Sequence, residues 1–224
     1  SAELARSLAD ASVDVIVEPI GDAWLRDTAA IIVGEGKTRV GRDFGFNWWG
    51  GKYCIPGDED VGARLAQRFG FLVEACDWIL EGGSIDVDGT GLAVTTEQCL
   101  LADNRNAGIT KAQAEAWLKR DLGIDRLLWL GDGLLNDHTD GHVDNLARFV
   151  APNTLALPVA EGTDDPNATI YADAKARAET FAALEPGERV THGKSEQRRA
   201  AQEQGQQRAG EPQAGDGCGS GQVG

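Results

Sequence analysis

The chain has 224 residues, with 36 acidic against 21 basic side chains and a net charge of −15 at neutral pH. So acidic a surface repels a phosphate backbone, which excludes nucleic acid as a natural partner and modestly favours encounter with small cations. The longest apolar runs, residues 29–33 and 154–160, fall far short of the roughly 20 residues that a membrane helix needs, so no membrane-spanning helix is expected.

Helix and strand signals alternate from the start. Leu4 and Leu8 lie one turn apart, and Val13 to Val17 follow as a β-branched strand. Residues 58–69 align Val61, Leu65 and Phe69 on one helical face and stop at Gly70, and Phe71-Leu-Val begins the next strand. Thr110-Lys-Ala-Gln is a capping box that opens a helix through Ala114, Leu118 and Leu122, ended by Gly123; Arg126 to Leu130 is again a strand. A last helix follows Asp165-Pro166 and reaches about Leu184.

A weak repeat of roughly 55–60 residues runs through this order. Its members, Trp24 to Arg42, Glu81 to Thr95 and Thr139 to Ala156, each read as a hairpin opened by polar residues. Asp27, Glu81 and the pair His142 and Asp144 sit near equivalent places and would converge if the units packed around an axis. Residues 1–185 are therefore expected to form one α/β domain of ββαβ units. Residues 186–224, rich in Gly and Gln and poor in aliphatic side chains, are expected to be a disordered low-complexity tail. The N-terminus has no basic region or apolar segment, and a start without Met suggests an incomplete or processed cytoplasmic chain. The four cysteines show no CxxC pair, which argues against structural zinc. They are expected to be reduced, with Cys54, Cys76 and Cys99 as buried, inert thiols.

Trp24-Leu-Arg-Asp27 sets a carboxylate near an indole, a pairing suited to a guanidinium, because the carboxylate accepts paired N–H bonds and the ring face supports the cation. Residues 43–53, Asp-Phe-Gly-Phe-Asn-Trp-Trp-Gly-Gly-Lys-Tyr, read as a loop packed closely on a ligand or a neighbouring strand. Glu81 precedes two glycines that permit close backbone approach. In Thr139-Asp-Gly-His142-Val-Asp144, period-two alternation would point the imidazole and the carboxylate to the same side. That pair could serve as a general acid/base, as ligands of a carboxylate-rich metal site with Asp140, or as a structural contact.

Taken together, Trp24-Leu-Arg-Asp27, the 43–53 segment, Leu80-Glu-Gly-Gly-Ser-Ile, Thr95-Thr-Glu-Gln-Cys-Leu-Leu and Thr139-Asp-Gly-His142-Val-Asp144-Asn resemble the agmatine deiminases, relatives of the bacterial-type peptidylarginine deiminases in the pentein superfamily. The resemblance covers about residues 13–183. It implies a five-unit α/β propeller, of which this chain would hold about three units, around a cavity for a small cationic guanidine such as agmatine. By motif, Asp27 and Asp144 bind the guanidinium, Trp24 lines the substrate site, His142 is the general acid/base, and Glu81 belongs to the same catalytic cluster. The implied reaction, agmatine to N-carbamoylputrescine and ammonia, uses a cysteine nucleophile and calls for no metal and no cofactor. Alternatives are a peptidylarginine deiminase and a non-catalytic guanidinium-binding protein. Ala30 replaces a usual Pro, and His138 replaces a usual acidic residue. The family's Gly-rich His-Cys segment has no counterpart; Cys218, in the tail, is a weak candidate, so the nucleophile is unassigned and the chain is expected to be inactive. Open faces left by absent units would favour self-association into homo-oligomers.

Overall fold

In the computed structural model, which describes residues 2–162, 164–184 and 189–194, the order strand, strand, helix, strand recurs three times. Helices α1 (Ala2–Leu8) and α2 (Leu25–Thr28) lead into β1 (Ile31–Val33), which pairs antiparallel with β2 (Val40–Gly45). After α3 (Trp48–Gly51) and α4 (Val61–Arg68), β3 (Leu72–Ile79) returns parallel to β2. The second unit runs β4 (Ile85–Val87), β5 (Leu92–Thr96), α5 (Glu97–Leu100), α6 (Asp103–Asn106), α7 (Lys111–Leu122) and β6 (Arg126–Leu130). The third runs β7 (Arg148–Ala151), β8 (Thr154–Val159), α8 (Ala168–Leu184) and β9 (Arg189–Lys194). Every sheet has three strands in chain order, the first pair antiparallel and the second parallel. The three expected hairpins are all present.

Local chemistry explains the pattern. A tight hairpin needs residues that tolerate positive φ, and each unit supplies them: Gly34 at 93°, Gly89 at 84° and Asn153 at 55°. Helix α7 has the capping box expected of Thr110 and Gln113, and Gly123, at φ 70°, closes it in the left-handed conformation. Helix α7 buries Ala114 and Leu118 against Trp78, Leu80, Ile85 and Ala93, which joins the first two sheets. A second cluster packs α8, through Tyr171, Ala174 and Ala178, on Leu128, Leu130, Leu155 and Leu157. All of β5 is buried, as befits a strand covered on both faces. The second and third units are stitched by carboxylates: Asp86 accepts from Arg148 Nη1 and the Phe149 amide at 2.7 Å each, and Asp88 accepts from the Asn153 amide at 2.9 Å.

Three expectations are corrected. Residues 13–17 form no strand; among the described residues no strand pairs with them, and Val13 and Val17 are exposed. Helix α4 is turned from the expected face: Val61, Gly62 and Ala66 are buried, whereas Phe69 is exposed beyond its end. The expected tail from residue 186 contains a strand, β9, whose six residues pair with β8; a low-complexity composition averaged over 39 residues hides a short Val-Thr-containing segment. Residues 195–224, Cys218 among them, lie outside the described residues. Among the described residues, no helix is long and apolar enough to cross a membrane.

Leu118 is fully buried where the first two sheets meet. Leu118→Ala should lower unfolding free energy by roughly 2–5 kcal/mol, because the transfer loss adds to the cavity left behind; urea denaturation measures this, and a change below about 1 kcal/mol would contradict the packing described.

Candidate functional site

The starts of the three units meet at Gly83. A Cβ built there would lie 2.5 Å from His142 Nδ1, 2.6 Å from Asp27 Oδ1 and 3.0 Å from Asp144 Oδ2. Only a residue without a side chain lets backbone approach a cluster so closely. The Gly83 amide donates to Asp27 Oδ1 at 2.8 Å, and His142 Nδ1 stands 3.7 Å from the same oxygen. The imidazole's other nitrogen faces Glu81 Oε2 at 3.3 Å. Asp27, Glu81, His142 and Asp144 are thus brought together from α2, the turn before β4 and the turn before β7.

The route to this convergence differs from strand alternation. His142 precedes a 3-10 turn, Val143–Asn145, that carries Asp144. Asp137 holds the loop: Oδ2 accepts from the Thr139 hydroxyl at 2.6 Å and from the Gly141 and His142 amides at 2.9 Å each. Thr96 Oγ1 donates to the Gly141 carbonyl at 2.6 Å and ties the loop to β5.

Trp24, expected to line the site, is 62% exposed, and the indole that bonds Asp27 is that of Trp49, which donates to Oδ2 at 3.0 Å from a buried position. Trp49 belongs to a left-handed turn in which Trp48, Trp49, Gly50 and Gly51 all have positive φ. The Asn47 side chain accepts from the Gly50 amide and secures that turn. Arg105, in α6, was given no role by sequence reasoning. Its buried guanidinium donates to Glu81 Oε1 at 2.9 Å, Asp140 Oδ2 at 2.8 Å and the Thr139 carbonyl at 2.9 Å. Asp140 is therefore engaged by Arg105, Asn104 and Lys52 and does not join His142 and Asp144 in the metal-ligand set considered from sequence. His138 sits at the rim, with its carbonyl accepting from Lys52 Nζ and its ring 3.2 Å from the Tyr53 hydroxyl.

Of the thiols expected to be buried, Cys99 is buried and free, Cys76 is half-buried and free, and Cys54 is exposed and disulfide-bonded. Cys99 lies beside the cluster, 3.9 Å from both Glu81 Oε2 and the Thr139 carbonyl. Burial pushes its thiol pKa up, and burial chiefly lifts Cys76 to about 11. Neither is a ready thiolate at neutral pH.

Burial alone would lower the His142 pKa, but its bonds to Cys99 and Glu81 and the charge of Asp27 outweigh that and push it up to about 10. Burial, reinforced by Asp27, raises Asp144 against the opposing pull of His142. A groove of about 540 Å³ runs beside β1 and residues 122–124, but its lining includes Arg26 and Gly82 and none of the four clustered residues. The groove is apart from the polar cluster, which is the place where charge and hydrogen-bonding groups converge.

Paired carboxylates around a buried imidazole, built on repeated ββαβ units, define the class of fold and site. The Porphyromonas-type peptidyl-arginine deiminase family matches residues 1–195, and the chain belongs to that family. An agmatine deiminase of Pseudomonas putida is 41% identical over 175 residues, covering 72% of this chain and 46% of its own length. One from Stutzerimonas stutzeri is 39% identical over 173 residues, with the same two coverages. Among solved structures, an agmatine deiminase of Enterococcus faecalis superimposes with a TM-score of 0.78 at 30% identity, covering 86% of this chain and 55% of that one. A substrate-bound agmatine deiminase of C. jejuni gives 0.74 at 33% identity, with 82% and 54% covered. The fold is the pentein-type α/β propeller of these structures, represented by three units, and the chain spans about half the length of the curated relatives it matches.

The raised His142 pKa has a definite sign. The folded state holds this proton more tightly than an unfolded chain, whose His titrates near roughly 6.5. The associated stability is complete below that value and is lost as pH rises through about 10. The His142 imidazole resonances followed by NMR should show no titration between pH 6 and 8; an ordinary midpoint near roughly 6.5 would contradict the surroundings described.

Proposed function

We propose that this chain carries the guanidinium-binding and proton-transfer part of an agmatine deiminase-type hydrolase, which converts agmatine to N-carbamoylputrescine and ammonia. The convergence of Asp27, Asp144 and His142 on Gly83 carries the proposal. A planar guanidinium offers N–H pairs on two edges, which suits two carboxylates from different elements. With Asp27 and Asp144 holding the cation, a cysteine thiolate attacks the guanidinium carbon, and the C–N bond to the departing nitrogen breaks. His142 gives that nitrogen its proton, and ammonia leaves a thiouronium adduct. Water, deprotonated by His142, then displaces the sulfur and yields the ureido product. Glu81, between Arg105 and His142, keeps a negative charge beside the imidazole and so favours its protonated, acid form. Trp24, exposed and three residues before Asp27, is assigned to the aliphatic part of the substrate.

The nucleophile is not assigned to Cys54, Cys76 or Cys99. Cys99, the nearest to His142, is enclosed and its thiol is raised. We infer that the chain binds agmatine without turning it over, and that Cys218 is at most a weak candidate. A cytoplasmic location is part of the proposal; the free thiols of Cys76 and Cys99 agree with it, whereas the Cys54 disulfide points to an oxidising compartment. Peptidyl-arginine is the second reading, favoured by the family's own description.

Calorimetric titration with agmatine should show binding that Asp27→Asn weakens by roughly 1.5–3 kcal/mol, the worth of a hydrogen bond to a charged group. Equal affinity of the two proteins would remove Asp27 from the site. Ureido product should not accumulate with the purified chain; sustained turnover would overturn the inference of inactivity and point to a cysteine within it. A blocked arginine peptide that bound more tightly than agmatine would decide for the second reading.

A further inference from the structure

Cys99 stands against Glu81 and His142, yet the deiminase chemistry gives it no role. Glu81 Oε2 lies 3.3 Å from His142 Nε2 and 3.9 Å from Cys99 Sγ, and the three ligand atoms all fall within 4.8 Å of one another. Tetrahedral zinc, with bonds of about 2.0 Å to N and O and about 2.3 Å to S, sets neighbouring ligand atoms about 3.3–3.6 Å apart. The Glu81–His142 separation already matches, and the Glu81–Cys99 separation needs only a few tenths of an ångström of closure. Among the described residues, this is the one group of three or more His, Cys, Asp or Glu side chains spaced to hold a metal ion.

The surroundings fit a cation as well as the distances do. Glu81 divides its two oxygens: Oε1 is bonded by Arg105 Nε, and Oε2 faces Cys99 and His142. On the far side of the imidazole, Nδ1 stands 3.7 Å from the Asp27 carboxylate. At this distance there is no hydrogen bond, but the carboxylate's negative charge behind the non-ligating nitrogen favours a cation on the imidazole. All three side chains are 2% exposed or less, so bound metal would be shielded from bulk water and chelators.

We propose that Glu81, Cys99 and His142 form a binding site for a thiophilic divalent cation, with Zn²⁺ as the expected ion. Three protein ligands leave a fourth coordination position for water. Loading balances by displacement of protons: the Cys99 S–H and the His142 Nε2–H are released to solvent as the S–metal and N–metal bonds form. Metal bound here occupies the nitrogen that would otherwise carry the acid's proton, so the site would switch the proposed chemistry off. The binding inference rests on the cluster's geometry and not on the guanidine reading; failure of agmatine to bind leaves it standing.

The test is to refold the full chain with Co²⁺ as probe and record absorption. A near-ultraviolet thiolate-to-cobalt band with visible transitions of tetrahedral intensity is expected, displaced by Zn²⁺. The band should vanish in Cys99→Ser, checked for native folding by its circular dichroism and melting. Asp27→Asn, which leaves all three ligands in place, should weaken cobalt affinity less than any change of a ligand, through the lost charge alone. Should Cys99→Ser fail to refold, His142→Gln and Glu81→Gln carry the test, each expected to weaken affinity at least tenfold. Absence of a thiolate band at excess cobalt, persistence of the band in folded Cys99→Ser, or unchanged affinity in both of the other ligand variants would overturn the proposal.

Discussion

The ion pair between Arg105 and Glu81 is the constraint on which the rest of the site depends. Both side chains are 1% exposed, and a buried charge is tolerated only with a good partner and further hydrogen bonds. Arg105 meets that condition by spreading its donors over Glu81, Asp140 and the Thr139 carbonyl. In doing so it binds the turn before β4 to the loop that carries His142. Removing the guanidinium would leave an uncompensated carboxylate and free the loop at once, a change far larger than the loss of a surface pair.

Around this pair the chain accepts conformations that most residues avoid. Trp48 and Trp49 have φ of 57° and 55°, a region that costs a non-glycine residue roughly 1–2 kcal/mol. The aromatic contacts of the turn offset it. Trp49 meets Phe46 edge-on at 5.0 Å and Tyr53 at 6.1 Å, and the Trp48 indole donates to the Ile55 carbonyl. The strained turn thereby delivers a rigid donor to Asp27, and the orientation of that carboxylate is fixed from two sides, by the Trp49 indole and the Gly83 amide. In its proposed role as a guanidine-binding group, Asp27 would gain from such fixing, since less freedom is lost on binding.

Much of this was legible in the sequence because local rules wrote it. The three hairpins, the capping box at Thr110 and the Gly123 stop follow from turn and cap chemistry within a few residues, and Asp27, Glu81, His142 and Asp144 occupy equivalent places in the repeat. Other features depend on partners distant in sequence. Val13 to Val17 has strand propensity but, among the described residues, no partner strand, so propensity misled. The indole at Asp27 comes from position 49, not 24, because the left-handed turn carries the Trp49 side chain onto that carboxylate. Arg105 stands in the polar run Asp103-Asn-Arg-Asn, where nothing local marks it as buried. Cys99 was visible inside a family motif, yet its closeness to His142 emerges only when α5 packs beside the loop at residues 137–142. The β9 strand was hidden by averaging composition over a region whose first residues differ from its remainder.

The Asp137 carboxylate has a broader consequence. With one oxygen it gathers a hydroxyl and two successive amides, and its other oxygen receives the Asn145 side chain at 3.3 Å. A loop bound so often by a single anchor has few alternative shapes to choose from. Its entropy is surrendered when the polypeptide folds, not when a small molecule arrives, so the free and occupied forms should differ mainly in solvent and scarcely in backbone. On the proposed reading, selectivity in such a cradle comes from matching a preset outline, and cations of a different shape would be turned away by geometry before any bond is broken.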